Sequence, residues 1–328
     1  MGTVGLIRYA EMLALGIVLE ASAYPKPGNV HRLRDFADTL YEDFAVSAVV
    51  AVEPLYRGIA RGYRYRDNLV FLKRVYGDII YDLVLLSMRT SGGGNTCLGT
   101  AILLTPIAVS LGCELASKKD TVDSRLLLAN AAKRLEKFST PIDTVYLYRA
   151  VRVASPSYIK DTDSTGEYPS VWSRNYRELI LSKGARLWDI LRFSSSFDMV
   201  AREVVEGYPR VIDSVGYIEK RLGYHGSWNR AVVEAYLHRL STEPDTLVIR
   251  KHGYATARYV QKRAAETIDE CLGSSGSDRC LERVWELDRE LAHMGVNPGS
   301  TADIIAVAIS VYALKRREAI LRSRPPTR

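Results

Sequence analysis

Three short stretches, far apart in the chain, combine residue types that hold phosphates. They are Tyr24-Pro25-Lys26-Pro27-Gly28-Asn29, Ser91-Gly92-Gly93-Gly94-Asn95-Thr96, and Asn297-Pro298-Gly299-Ser300-Thr301 with Asp303 just beyond. In the first, Lys26 stands between two prolines that stiffen the backbone and limit where its ammonium can go. Asn29, His31 and Arg32 follow it, a set suited to a polyphosphate. The plainer account is a surface loop with solvated charges. In the second, glycines allow a ligand close to the backbone, and Asn95 and Thr96 can cap a helix whose free N–H groups attract anions. The Gly-Lys-Ser/Thr spacing of a Walker loop is missing, and a tight turn with an ordinary cap explains the same residues. The third stretch has the same design, with Asn297, Gly299, Ser300 and Thr301 opening a helix and Asp303 in its first turn. A carboxylate there either answers the helix dipole or ligates Mg²⁺, which takes one or two carboxylates plus substrate phosphates.

Two further acids belong with these loops. Glu20 ends the first apolar helix one turn or so before Lys26, as a surface residue or as a base pointing into a cleft. Asp198 follows Ser194-Ser195-Ser196-Phe197, where capping competes with metal ligation. Each site has a plain alternative. Their recurrence at helix ends argues for convergence on one cleft.

The elements that position them read as helices. Apolar residues recur at helical spacing over 6–22, 44–62 (with Pro54 as a kink or break), 69–88 and 97–111. The pattern continues over 122–138, 142–153, 186–193, 198–206, 211–222, 229–240, 255–272, 281–294 and 301–317. The run from Cys97 to Leu111 is apolar on all sides, which predicts a buried central helix with Pro106 as a candidate kink. Strand alternation is absent, so the expectation is an all-α fold. No linker divides the chain, which predicts a single domain over 1–320 and a basic, frayed tail over 321–328. The polar loop 155–173 is long enough for a flap.

Composition narrows the setting. The 328 residues carry 45 Lys+Arg against 38 Asp+Glu, a net charge of +7. That surplus suits phosphate-bearing ligands and falls short of a nucleic-acid coat. The four cysteines and five histidines show no C-x-x-C or H-E-x-x-H, which excludes a zinc ribbon or zincin. Cys271 and Cys280 are left open as a disulfide. One glutamine and an excess of Arg over Lys are the composition of a heat-adapted protein. No signal peptide is evident, and apolar runs fall short of the roughly 20 residues of a membrane span, so a cytoplasmic protein is expected.

The motifs also resemble a known family. Tyr24-Pro-Lys-Pro-Gly-Asn-Val-His31, Gly92-Gly-Gly-Asn-Thr-Cys-Leu-Gly99 and Asn297-Pro-Gly-Ser-Thr-Ala-Asp303 resemble, in order and separation, those of the triphosphoribosyl-dephospho-CoA synthases. Glu20 matches a glutamate ahead of that family's Pro-Lys-Pro-Gly. The similarity covers residues 8–315. It implies an all-helical transferase acting on ATP and dephospho-CoA, in which adenine leaves C1 of the ATP ribose and a ribose hydroxyl of the acceptor replaces it. The product is the precursor of the prosthetic group of acyl-carrier subunits. Such chemistry passes through an oxocarbenium-like state and asks for a base, phosphate holders and Mg²⁺. Glu20 is expected as the base, with Asp198 and Asp303 at the metal. Lys26, Gly28, Asn29, Gly93, Gly94, Asn95, Thr96, Asn297, Gly299, Ser300 and Thr301 are expected at the nucleotide. Cys97-Leu98 stand where the bacterial synthases carry His-Lys. Val30-His31 and Phe36-Ala37-Asp38 replace Val-Asp and Gly-Ala-His, and Ser155–Ile159 replaces a glycine-rich stretch. These departures mark a divergent branch, with room for another acceptor. Two alternatives stand beside the transferase: an N-glycosidic hydrolase using water, and a helical RNA-binding protein built on Arg61-Gly-Tyr-Arg-Tyr-Arg66.

Overall fold

The computed structural model describes residues 3–117, 123–160, 166–273, 278–317 and 320–321. Among them there are fifteen α-helices, one 3₁₀ turn and no strand, as the all-α reading expects. The helices group into two compact units. Unit one takes Met1–Ala14 and Glu42–Pro209, and unit two takes Leu15–Tyr41 and Arg210–Arg328. Each unit draws on two separate stretches of chain, and all three boundaries fall within helices. The two units thus alternate along the chain with no linker segment between them.

In unit one the first turns of α1 (Thr3–Ser22) join α2 (Tyr41–Tyr65), α3 (Gly77–Ser91), α4 (Leu98–Ala116), α5 (Ser124–Phe138), α6 (Pro141–Ala154), α7 (Tyr176–Lys183), α8 (Leu187–Ser194) and α9 (Met199–Val205). Helix α4 is the buried apolar helix, and it continues past Leu111 to Ala116. Among the described residues it alone is long and apolar enough to cross a membrane, yet 89% of it is buried inside the protein. Helix α2 runs on through Pro54, so the expected break does not form. It crosses α4 so closely that a Cβ on Gly62 would strike Val109 O and one on Gly112 would strike Ile59 O. Only glycine admits that approach.

The expected helix over 69–88 is two elements, a 3₁₀ turn Arg66–Phe71 and then α3. Buried Asp143 explains the second start. Its Oδ1 accepts the N–H groups of Val75, Tyr76 and Gly77, each at 2.8 Å, and its Oδ2 accepts that of Thr140 at 2.9 Å. One carboxylate thus satisfies donors at the heads of α3 and α6. Periodicity alone cannot show such a long-range cap. Helix α7 was also missed, because its eight residues are too few for a periodic signal.

Unit two contains the rest of α1, the segment Ala23–Leu40, and α10 (Pro209–His225), α11 (Trp228–Thr242), α12 (Thr246–His252), α13 (Tyr254–Gly273), α14 (Asp278–His293) and α15 (Gly299–Arg316). Helix α15 is buried on nearly every side from Ile304 to Leu314. The β-branched run Thr246–Ile249 is the short helix α12, capped by Asp245. Cys271 and Cys280 form the disulfide that the sequence left open.

Candidate active site

The Tyr24–Asn29 loop of unit two carries three of the predicted residues, Lys26, Gly28 and Asn29. Both prolines lack an N–H, so within the loop the Asn29 N–H bonds the Lys26 carbonyl at 3.1 Å and the remaining ties come from elsewhere. Side chains supply them. Asn229 on α11 accepts the Tyr24 N–H at 3.0 Å and donates to the Tyr24 carbonyl at 2.6 Å. Two turns along the same helix, the Tyr236 hydroxyl accepts from Asn29 Nδ2 at 2.6 Å and donates to the Pro27 carbonyl at 2.8 Å. From α14, Asp288 accepts the Gly28 N–H at 3.3 Å.

Inside this frame Lys26 points inward, not to solvent. Its Nζ lies 2.6 Å from Glu20 Oε1 and donates to the Glu20 carbonyl at 3.2 Å. The two side chains are 1% and 3% exposed. Burial pushes the Glu20 carboxyl up and the Lys26 ammonium down, while the attraction between them opposes both shifts. The predicted base and the predicted phosphate-holding lysine are therefore one buried ion pair.

His31, placed with the phosphate loop by the sequence, is fully buried. Its Nδ1 accepts the Leu33 N–H at 3.3 Å, so Nε2 carries the proton and faces Asp288 Oδ2 at 3.2 Å. Arg34 reaches the other Asp288 oxygen at 2.5 Å. Arg32 lies over the Tyr24 ring, 4.0 Å from its centroid.

The C-terminal motif meets this loop directly. Gly28 has φ +75°, and a Cβ there would sit 2.5 Å from Val296 O and 3.0 Å from Pro298 Cδ. No other residue fits that conformation and that gap. The turn Asn297–Thr301 is fixed from α12 by Asp245, a fully buried residue. Asp245 Oδ2 accepts the Thr301 N–H at 2.7 Å and its hydroxyl at 2.8 Å, while Oδ1 caps α12 through Leu247 and Val248. Burial raises the Asp245 carboxyl, and the Thr301 donors oppose the rise. Thr246 and Ser300 hydroxyls meet at 3.2 Å. Asn297 Oδ1 is buried without a hydrogen-bond partner. Asp303 is half-buried on α15, which starts at Gly299, so it lies just past the first turn where the sequence expected it.

The glycine loop lies in unit one. Asn95 Oδ1 accepts the N–H groups of Cys97 at 3.3 Å and Leu98 at 3.0 Å, so it satisfies the first N–H of α4, although the N-cap residue is Cys97. Thr96 is turned inward. Its hydroxyl meets those of Ser47 at 2.7 Å and Ser87 at 3.0 Å, Ser47 and Ser87 touch each other, and Ser47 donates to the Asp43 carbonyl at 2.6 Å. All three hydroxyl protons find acceptors inside this knot, so Thr96 anchors the loop. Gly93 rests on the Asp43 carboxylate so closely that a Cβ would overlap it. Asp198 is the N-cap of α9, its Oδ1 accepting the Ala201 N–H at 2.9 Å; of its two readings, the geometry shows capping. Asp198 and Asp303 fall in different units.

The arginine–tyrosine stretch behind the RNA alternative is partly internal. Arg61 makes two 2.8 Å bonds to the Asp78 carboxylate and a third to the Val75 carbonyl.

A model of the CitG family, the ATP:dephospho-CoA triphosphoribosyl transferases, matches residues 7–321. The chain belongs to this family. It is a transferase of the triphosphoribosyl-dephospho-CoA synthase type. A Pseudomonas fluorescens protein named as a probable 2-(5''-triphosphoribosyl)-3'-dephosphocoenzyme-A synthase is 24% identical over 317 residues, covering 95% of this chain and 93% of its own. A protein of the same description from Malonomonas rubra is 24% identical over 206 residues, 62% of this chain and 60% of its own. The crystal structure of an Archaeoglobus fulgidus protein described as a triphosphoribosyl-dephospho-CoA synthase shares the fold. The TM-score is 0.59 at 24% identity, over 83% of this chain and 98% of that one.

Several residues that build these loops were absent from the sequence reading: Asn229, Tyr236, Asp245, Asp288, Ser47 and Ser87. Pro244-Asp245-Thr246 carries a readable helix-start signal for α12. The others announce themselves only through tertiary contacts.

Proposed function

We propose that this chain moves the triphosphoribosyl group of ATP to a ribose hydroxyl of dephospho-CoA, with adenine as leaving group. The observation that supports this reading is the meeting of two distant family motifs in unit two, where Gly28 closes on Val296 and Pro298 while Lys26 and Glu20 pair beside it. In the reaction the bond from C1 of the ATP ribose to adenine breaks and a bond to the acceptor oxygen forms. Glu20 takes the hydroxyl proton. The Lys26 ammonium opposes the rise that burial imposes on the Glu20 carboxyl and fixes its Oε1 in place. In unit two Asn29 and the Asn297–Thr301 turn hold the nucleotide, and in unit one the Gly93–Asn95 loop, taken by itself, is a candidate phosphate contact.

Magnesium fits as part of the nucleotide rather than as a resident ion. Among the described residues no three His, Cys, Asp or Glu side chains group as ligands. One carboxylate suffices for an ion already held by phosphates, and Asp303 is the one we propose for MgATP.

The test is adenine release, followed by chromatography, from ATP, Mg²⁺ and dephospho-CoA. Release that requires dephospho-CoA supports the transferase. Release without any acceptor identifies the hydrolase, and no release with any acceptor refutes both. Asp303→Ala should abolish release at saturating ATP; unchanged turnover removes Asp303 from the mechanism.

A further inference from the structure

We propose that Tyr236 and Asn229 are positioning residues for nucleotide binding, acting as a splint along one face of α11 that holds the Lys26–Asn29 segment in shape. This rests on the proposed function of that segment. The two residues are seven apart, two helical turns, and so share a face. Asn229 clamps both backbone groups of Tyr24, at 3.0 and 2.6 Å. Tyr236 ties the Asn29 amide to the Pro27 carbonyl at 2.6 and 2.8 Å.

The loop needs this help for a physical reason. With Pro25 and Pro27 it has two residues that donate nothing; the Lys26 carbonyl takes the Asn29 N–H, while the Tyr24 and Pro27 carbonyls take their donors from α11. The Pro27 carbonyl finds one in the Tyr236 hydroxyl. That phenol is fully enclosed and surrounded by carboxylates. Burial first, then the charges of Asp245, Glu20 and Asp288, hold its pKa well above the ordinary phenol value. It therefore keeps its proton and goes on donating to Pro27. Asn29, fixed through its amide nitrogen, is oriented by a residue 207 positions away in sequence.

Tyr236→Phe removes one oxygen and leaves the ring in place. It strands the Asn29 amide and the Pro27 carbonyl, a loss that corresponds to about a tenfold change in affinity. We expect the ATP Kd, measured by equilibrium dialysis on the full chain with Mg²⁺, to rise about tenfold, and kcat to stay within about twofold, as for loss of uniform binding. Tyr217→Phe is the control. Its hydroxyl is buried without a hydrogen-bond partner, so ATP binding should not change. A merely structural Tyr236 would lower the melting temperature and leave the Kd of the folded fraction alone.

A double-mutant cycle reads the route. If Tyr236 acts through Asn29, Y236F should have little further effect in an N29A background, and full additivity overturns the proposal. Should Y236F fail to fold, Asn229→Asp tests the other end of the splint. It keeps the acceptor for the Tyr24 N–H, loses the donor to the Tyr24 carbonyl, and should also weaken ATP binding. An unchanged Kd in either folded variant overturns the splint. Wild-type protein that binds ATP yet forms no adduct overturns the proposed function instead, and wild-type protein that binds no ATP overturns both.

Discussion

Removing the Lys26 ammonium should make the stability of unit two depend on pH in a definite direction. The Lys26–Glu20 contact is 2.6 Å long and nearly closed to solvent. At an effective dielectric near 20, charges that close attract by about 6 kcal/mol, set against the desolvation of both ends. Lys26→Met leaves the carboxylate alone in the interior, at a cost of about 3–5 kcal/mol. Glu20→Met/Lys26→Met replaces both ends by apolar side chains of similar length and should lose about 1 kcal/mol or less. Urea denaturation followed by circular dichroism measures all three proteins. In K26M, burial still holds the folded Glu20 carboxyl above 4.5, now without the ammonium that opposed it. A raised folded pKa gives stability that is complete below the unfolded value and lost as pH rises through the folded one. K26M should therefore lie closest to wild type near pH 4.5 and fall away toward neutrality. Equal losses in K26M and the double variant, or a K26M deficit that ignores pH, would falsify the buried-pair reasoning.

Other outcomes follow from single contacts. Asn95→Asp keeps the oxygen that accepts the first N–H of α4 but replaces the amide donor by a charge, so its melting temperature should hold while its KM for ATP rises at least about tenfold; an unchanged KM takes Asn95 out of the nucleotide site. For Glu234, burial pulls the carboxyl up, but bonds from Arg221, Arg230 and His225 together hold it below 4.5. Its stabilising effect is present above 4.5 and lost as pH falls through the folded value, so thermal melts of E234Q and wild type should converge in acid and separate at pH 7. The Cys271–Cys280 bridge closes a sequence separation of nine residues, worth about 3 kcal/mol in chain entropy. Cys271→Ser/Cys280→Ser should lower the urea midpoint accordingly, and an unshifted midpoint would show that the bridge does not form in solution.

The sequence carried the helical architecture well because most helices bury one continuous apolar face, and α4 declares itself by having no polar face at all. It failed where helices are short or are started by distant groups. Helix α12 hid behind the β-branched run Thr246–Ile249, and the head of α3 is made by Asp143, some 66 residues away. The site was legible as glycines, prolines and caps, since those residues act locally. What each polar side chain touches was not. Lys26 and Thr96 read as phosphate ligands and prove to be bonded to Glu20 and to the Ser47–Ser87 pair.

The most direct test of triphosphoribosyl transfer is the mass of the acceptor after incubation with ATP, Mg²⁺ and the full-length chain. Dephospho-CoA should gain the mass of ATP less adenine, with one adenine released per adduct formed. Dephospho-CoA recovered unchanged while ATP loses adenine, or while ATP remains intact, would contradict it.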